Sequence, residues 1–68
     1  MIKYDKLWET MRKRNITQYQ LVTQFHISKS LLHRLRQNQG VSSNSLNILC
    51  NILDCNLEDI ATHYRDEE

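Results

Sequence analysis

Five polar residues between positions 29 and 37 recur at the spacing of one helical face. They are Lys29, Ser30, His33, Arg34 and Gln37, and they fall within about 140° of a helical wheel. All five can donate a hydrogen bond, and no Asp or Glu occurs between positions 17 and 38. Donors of this kind can reach base edges in the major groove of DNA, or phosphate oxygens. A solvated polar face is the alternative, but it leaves the absence of acidic residues unexplained.

Two short helices with a tight turn between them would position this face. Ser28 is a typical N-cap for the helix that carries it. The apolar side of that helix consists of Leu31, Leu32 and Leu35. Thr17 and Gln20 form the T-x-x-Q capping box of the preceding helix. The connection is only about three residues long, and such a short link holds two helices at a steep angle, as in a helix-turn-helix.

The whole chain reads as one all-α domain over residues 1–68. It has no proline and one glycine, and its apolar residues recur three or four positions apart, which indicates helices throughout. We expect five helices, at about 4–14, 17–25, 28–37, 43–53 and 56–62. The tail, residues 63–68, is expected to be frayed.

Charge is distributed unevenly between the two halves of the chain. Residues 1–40 carry a net +6 and residues 41–68 a net −5, within a total of +1. The asymmetry indicates an anionic partner for the N-terminal half. A solvated basic helix and an acidic tail are the alternative on charge alone.

The histidines and cysteines give little support to a metal site or an enzyme. Zinc needs four ligands, usually in short paired spacings, whereas His26, His33 and His63 are scattered. Cys50 and Cys55 fall on the predicted core side, where reduced, buried thiols are favoured over a bridge. No catalytic triad, glycine-rich loop or carboxylate pair occurs. We expect no metal, cofactor, small-molecule ligand or catalytic activity, and, without a signal peptide or transmembrane run, a cytoplasmic protein.

From about Leu7 to Ile60 the sequence resembles the Cro/CI repressor-like (XRE-like) helix-turn-helix regulators. The resemblance is carried by "ITQYQLV" at the second helix, "ISKSLLHRL" at the third, "LNILCNIL" in the fourth and the closing "CNLEDI". It implies a compact, five-helix, lambda-repressor-like domain that binds operator DNA, usually as a dimer on a twofold-related site.

The resemblance also implies roles for individual residues. Base contacts are expected from Lys29, Ser30 and Arg34, with His33 on the same face. Backbone contacts are expected from Thr17, Gln18, Arg36, Gln37, Ser43 and Asn44, of which Thr17 or Gln18 could instead meet a base edge. Several family members pair an arginine of helix one with a glutamate of helix three. Met11 and Arg36 replace both partners here, which leaves Arg36 free for a phosphate.

Three further positions depart from the family pattern. His26 stands in the turn where glycine is usual, and histidine tolerates the left-handed conformation expected there better than most residues. Val22 replaces a usual alanine, so the helix pair is expected to pack slightly wider. The loop "GVSSNS" lacks basic residues, so phosphate binding there depends on the first amides of the fourth helix, with Ser43 and Asn44.

A second apolar face on the fourth helix predicts a further contact. Ile48 and Ile52 lie outside the expected core stripe, where they could pack either against the segment around Ile2 or against another subunit. Together with Leu57 they are the predicted interface of a homodimer. We therefore expect a small transcriptional regulator that binds specific double-stranded DNA. The alternatives are a protein-interaction module on the same fold, such as an antitoxin or phage anti-regulator, and non-specific nucleic-acid binding by charge.

Overall fold

Four α-helices and one two-stranded sheet make up the computed structural model, which describes residues 1–67. The elements in chain order are β1 (Ile2–Lys3), α1 (Asp5–Lys13), α2 (Gln18–Thr23), α3 (Lys29–Arg36), α4 (Ser43–Leu53), a 3₁₀ turn (Leu57–Asp59) and β2 (Thr62–His63). Strands β1 and β2 pair antiparallel. Among the described residues, no helix has the length and apolar character needed to cross a membrane.

The last segment corrects the predicted fifth helix. In place of a helix over 56–62, the chain makes the 3₁₀ turn and then enters β2, in which Thr62 pairs with Lys3 and His63 with Ile2. A helix of so few residues forms few internal hydrogen bonds, and these do little to offset the unfavourable free energy of forming its first turn. Pairing with the N-terminal strand satisfies the same backbone groups, so the fold has four helices rather than five.

The start of the tail is held in place, which corrects the prediction of fraying from residue 63. The amide of Tyr64 donates to the carbonyl of Met1 at 2.7 Å. The ammonium group of Met1 donates to the carbonyl of Tyr64 at 2.6 Å and to the Asp66 carboxylate at 2.8 Å. The ammonium of Lys3 lies 5.3 Å from the centre of the Tyr64 ring. Residue 68, also part of the predicted tail, lies outside the described residues.

The core draws side chains from every helix and from both chain ends. Its ten buried residues are Tyr4, Leu7, Met11, Leu21, Ile27, Leu32, Leu35, Leu49, Leu53 and Ile60. Each fully buried leucine contributes about 1.5–3 kcal/mol relative to an exposed one. Leu32 and Leu35 belong to this set, so burial of the apolar side of α3 fixes which side faces solvent.

Local side-chain hydrogen bonds define where three helices begin. Thr17 Oγ1 accepts from the Gln20 amide at 3.1 Å, and Gln20 Oε1 accepts from the Thr17 amide at 2.8 Å. The hydroxyls of Ser28 and Ser42 each accept from the amide three residues on, at 3.1 Å. The capping box of α2 and the serine cap of α3 were predicted from the sequence and are confirmed; at α4, where either Ser42 or Ser43 could serve as the cap, it is Ser42.

Three helices end in the same way without a glycine. Each is followed by a residue in the left-handed conformation: Asn15 (φ 57°), Asn38 (φ 54°) and Asp54 (φ 49°). The next amide then donates to the carbonyl five residues earlier, as in a Schellman motif. These bonds join Ile16 to Met11 (2.9 Å), Gln39 to Arg34 (2.9 Å) and Cys55 to Cys50 (3.1 Å). Asn and Asp tolerate positive φ better than most residues, which explains their presence at these positions.

Candidate nucleic-acid interface

The turn between α2 and α3 fixes the orientation of the predicted binding helix. His26 adopts a φ of 58°, which confirms the left-handed conformation predicted for this position and costs on the order of 1 kcal/mol for a non-glycine residue. The amide of Ile27 donates to the carbonyl of Leu21 at 2.9 Å. The Ile27 side chain is buried in the core. These contacts offset the strain and hold the residue before the Ser28 cap of α3 against α2.

The far end of α3 is tied to the N-terminal segment through Tyr4. The Tyr4 amide donates to Asn38 Oδ1 at 3.0 Å, and the Tyr4 hydroxyl donates to the carbonyl of Gln39 at 3.1 Å. Burial raises the pKa of the Tyr4 phenol above its ordinary value, so the hydroxyl keeps its proton and remains a donor. Helix α3 is therefore held at both ends by contacts that leave its outer face untouched.

The outer face of α3 consists of exposed and uncommitted donors. Its members are Lys29, Ser30, His33, Arg34 and Gln37, all exposed to solvent. Within residues 1–67, none of their side chains takes part in a hydrogen bond or ion pair. The backbone carbonyls of His33 and Arg34 are used in the helix cap, but the side chains project away from it. A surface of free donors and cations with no acid on its own helix is suited to an anionic, acceptor-rich ligand.

Arg36 and Gln18 were predicted separately as contacts to a DNA backbone, and the structure brings them together. Arg36 Nε donates to Gln18 Oε1 at 2.9 Å, so the end of α3 is joined to the first turn of α2. Arg36 is thus not free, as the sequence suggested, but partly engaged. A guanidinium carries five N–H donors, so its two terminal nitrogens remain available, as does the amide nitrogen of Gln18. The pair can present both groups to one phosphate.

A surface cleft of about 400 Å³ separates α2 from α3 beside this pair. Gln18 and Arg36 line it together with Tyr19, Val22 and Lys29. Tyr19 is 77% exposed and was not among the residues predicted for the site. The sequence feature that could have indicated an exposed Tyr19 is its position on α2, on the side opposite the buried Leu21. Val22, which was expected to widen the helix packing, lies at the wall of this cleft.

The start of α4 offers the amides that the sequence had indicated. Ser43 and Asn44 are both exposed, and the Ser42 hydroxyl caps the Ser45 amide rather than theirs. The amides of Ser43 and Asn44 have no acceptor within the part of the chain that the structure describes. Thr17 is also exposed, but its hydroxyl oxygen is occupied as the cap of α2.

The three residues predicted as a dimer interface do not form one surface. Leu57 is 55% exposed and lines a cleft with Ile2 and Leu46. Ile48, 39% exposed, lies about 160° around α4 from Leu46. Ile52 is half-buried against the core. The alternative, that Ile48 and Ile52 pack against Ile2, stays a prediction, and Ile2 lines two clefts together with Leu57.

The comparisons with known proteins agree with this arrangement. A family model described as a Cro/C1-type HTH DNA-binding domain matches residues 6–66. The crystal structure of the transcriptional regulator VanUg, in its form II, superposes with a TM-score of 0.85 at 29% sequence identity. That match covers 96% of this chain and 87% of the VanUg chain. A search of curated proteins gives no significant match.

Proposed function

The chain belongs to the family of Cro/C1-type HTH DNA-binding domains, and on that basis we propose that it regulates transcription by reading a specific double-stranded DNA sequence with α3. The observation that carries the proposal is the outer face of α3, where every polar side chain is exposed and has no hydrogen-bond or ion-pair partner among residues 1–67. The major groove of B-DNA admits an α-helix and presents a distinct donor and acceptor pattern for each base pair.

Base readout is assigned to the four residues on the first two turns of α3: Lys29, Ser30, His33 and Arg34. Arg34 lies at one edge of the face, about 140° around the helix from Lys29, and its planar guanidinium can donate two parallel hydrogen bonds to a guanine. One such bidentate pair gives about 1–3 kcal/mol of discrimination against another base. Lys29 and His33 lie toward the opposite edge and would contact neighbouring base pairs.

Backbone contacts are assigned to groups around the edge of this face. The joined pair of Arg36 and Gln18 would bind one phosphate through the terminal guanidinium nitrogens and the glutamine amide. The free amides of Ser43 and Asn44 would bind a second, at the positive end of the α4 dipole. Thr17 and Gln37 are the remaining proposed backbone contacts, and Thr17 would donate its hydroxyl proton to a phosphate oxygen. These contacts fix the register of α3 and carry no sequence information.

A homodimer is proposed because one domain makes too few base contacts to select a site. Two copies related by a twofold axis would read two half-sites one helical turn apart. The exposed apolar surface of Leu57 and Ile2 is the better candidate interface, since Ile48 lies on a different side of α4. Leu57→Glu should weaken self-association in analytical ultracentrifugation, whereas Ile48→Glu serves as a matched control and should not. If Ile48→Glu weakens self-association and Leu57→Glu does not, the interface includes Ile48 instead.

Selection of binding sites from random duplex DNA tests the function directly. The proposal predicts an enriched sequence with two inverted half-sites, centred about 10 base pairs apart. A variant with Lys29→Ala and Arg34→Ala is the control and should enrich no sequence. Failure of the wild-type protein to enrich any sequence, with binding that depends only on salt, would contradict the proposal. It would leave non-specific charge binding or a protein partner as the role of this face.

A further inference from the structure

The two cysteines occupy matching positions of the cap that ends α4. Asp54 is left-handed, and the Cys55 amide donates to the Cys50 carbonyl at 3.1 Å. In a Schellman motif this bond brings the two side chains into contact. At the end of α1 the same geometry sets Ile16 against Met11. At the end of α4 it sets one thiol against the other.

The two thiols line one surface cleft, so both can be reached from solvent. Both residues are half-buried rather than fully buried as the sequence predicted. Both line a surface cleft of about 400 Å³, whose other polar walls are Ser43 and three asparagines: Asn47, Asn51 and Asn56. Desolvation, followed by the neighbouring Cys50 thiol, raises the pKa of Cys55 to about 11, so the free thiol keeps its proton at neutral pH.

We infer that Cys50 and Cys55 form a two-sulfur site for a soft monovalent d¹⁰ cation, of which Cu(I) is the representative. Thiolates select soft cations over hard ones. In residues 1–67, no group of three His, Cys, Asp or Glu side chains comes close enough to share an ion. Zinc, which requires four ligands in a structural site, is therefore a poor fit, whereas Cu(I) is satisfied by two sulfurs in line.

Binding would exchange two protons for one cation. Each thiol releases its proton to solvent and each sulfur forms one bond to Cu(I), so the bound unit carries a net charge of −1. No electron is transferred. The Arg14 guanidinium, whose Nη2 donates to the Asp54 carbonyl at 3.0 Å, places a positive charge beside the cap, and the Asp59 carboxylate of the following turn opposes it. Affinity should rise steeply with pH, since protons compete with the metal for the sulfur.

An occupied site would lock the end of α4 to the segment that follows it. The bridge would span the cap at Asp54 and so stabilise the native state by an amount that rises with the logarithm of the free cation concentration once that exceeds Kd. This inference uses only the α4 cap and its cleft. It does not depend on DNA binding by α3.

Anaerobic titration of the reduced protein with Cu(I), buffered by a competing chelator, is the test. We expect one Cu(I) per chain, ultraviolet absorption from sulfur-to-copper charge transfer, and a higher melting temperature. Cys50→Ser and Cys55→Ser should each remove all three signals, and Cys50→Ala provides a second variant if a serine disturbs folding. Circular dichroism checks that each variant is folded. Zn(II) at the same concentration should leave the melting temperature unchanged.

Three results would overturn the inference. The first is Cu(I) binding that survives Cys55→Ser, since that places the ligand elsewhere. The second is one Cu(I) per two chains with a rise in mass, since that makes the site intermolecular. The third is an equal response to Zn(II), since that requires ligands beyond the two thiols.

Discussion

Two regions of the molecule differ in whether their polar groups have partners within the chain: the outer face of α3, and the region where the two chain ends meet. Around the termini, polar groups are used within the molecule. Examples are the Met1 ammonium, which donates to the Asp66 carboxylate, and the Tyr64 amide, which donates to the Met1 carbonyl. On α3, Lys29 and Arg34 are exposed and without such partners in residues 1–67. Polar groups that bond internally hold the fold, whereas groups that are left free are available to a ligand.

This contrast separates stability from binding. Exposed side chains with no partner contribute little to the free energy of unfolding, and changes at such positions usually fall within about 0.5 kcal/mol. Their hydrogen bonds would be made only in a complex. Substitutions on the α3 face should therefore lower DNA affinity at constant stability, and substitutions around the termini should do the reverse.

Charge reversal on α3 should give the largest effect. The double variant Lys29→Glu with Arg34→Glu replaces two donors by groups that repel phosphate and cannot donate to a base. We expect at least about a hundredfold loss of DNA affinity, from two contacts of roughly 1–3 kcal/mol each, with little change in melting temperature. Arg12→Glu with Lys13→Glu, on the exposed side of α1, makes the same change in net charge and is the control. An equal loss in both double variants would mean that only total charge matters.

Loss of the bond between Arg36 and Gln18 should have a smaller effect on DNA affinity, and that effect should be the same for every DNA sequence. Arg36→Ala should weaken specific and scrambled duplexes alike and reduce the salt slope by about one. Gln18→Ala should also weaken both duplexes alike, but with little change in the salt slope, because its amide is neutral and releases no counterion. The double variant should lose less than the sum, with a coupling of about 0.5 kcal/mol or more. Gln24→Ala, at the exposed end of α2, is the matched control. Strict additivity would show that the two residues act on separate phosphates.

Removal of the Tyr4 hydroxyl should affect stability alone. Tyr4→Phe leaves the ring buried but deprives the Gln39 carbonyl of its donor, at a cost of about 0.5–1.5 kcal/mol in the free energy of unfolding. Urea titration measures this change. Tyr64→Phe, at an exposed ring, is the control and should be neutral. DNA affinity at a temperature where the protein is folded should not change; a tenfold loss would show that Tyr4 also positions α3 for binding.

Loss of the ion pair between Met1 and Asp66 should have the smallest effect on stability, and the size of that effect should depend on pH. A hydrogen bond from the Met1 ammonium, and then its charge, hold the pKa of Asp66 below its ordinary value. The stabilisation is therefore present at neutral pH and is lost as the pH falls through the lowered pKa. Asp66→Asn should lower the melting temperature slightly at pH 7, and the difference should shrink as the pH falls and the carboxyl is protonated; salt should also reduce it. Glu67→Gln is the control. A difference that stays constant as the pH is lowered through the acid range would rule out the ion pair as its cause.

Local signals in the sequence were sufficient for the parts of the fold that depend on neighbouring residues. The capping box of Thr17 and the left-handed turn at His26 were predicted because the groups involved lie within three or four positions. The exposed side of α3 followed from its leucine spacing, and Leu32 and Leu35 are buried as that spacing requires.

Contacts between distant positions were not predictable in the same way. Strands of two residues have no alternation to detect, so the pairing of Lys3 with Thr62 left no trace in the sequence. The bond between Arg36 and Gln18 joins residues 18 positions apart. Its existence depends on the angle between α2 and α3, which side-chain spacing alone does not specify.

The most direct test of the account is the response of two duplexes to Arg34→Ala. Affinity for the selected site and for a scrambled duplex would be measured at several salt concentrations. We predict a loss of about 1–3 kcal/mol on the selected site, which is roughly fivefold to 150-fold in affinity. The loss on scrambled DNA should be much smaller, with relaxed preference at one base pair of each half-site. Equal losses on both duplexes would contradict the account and would make the α3 face an electrostatic surface without sequence readout.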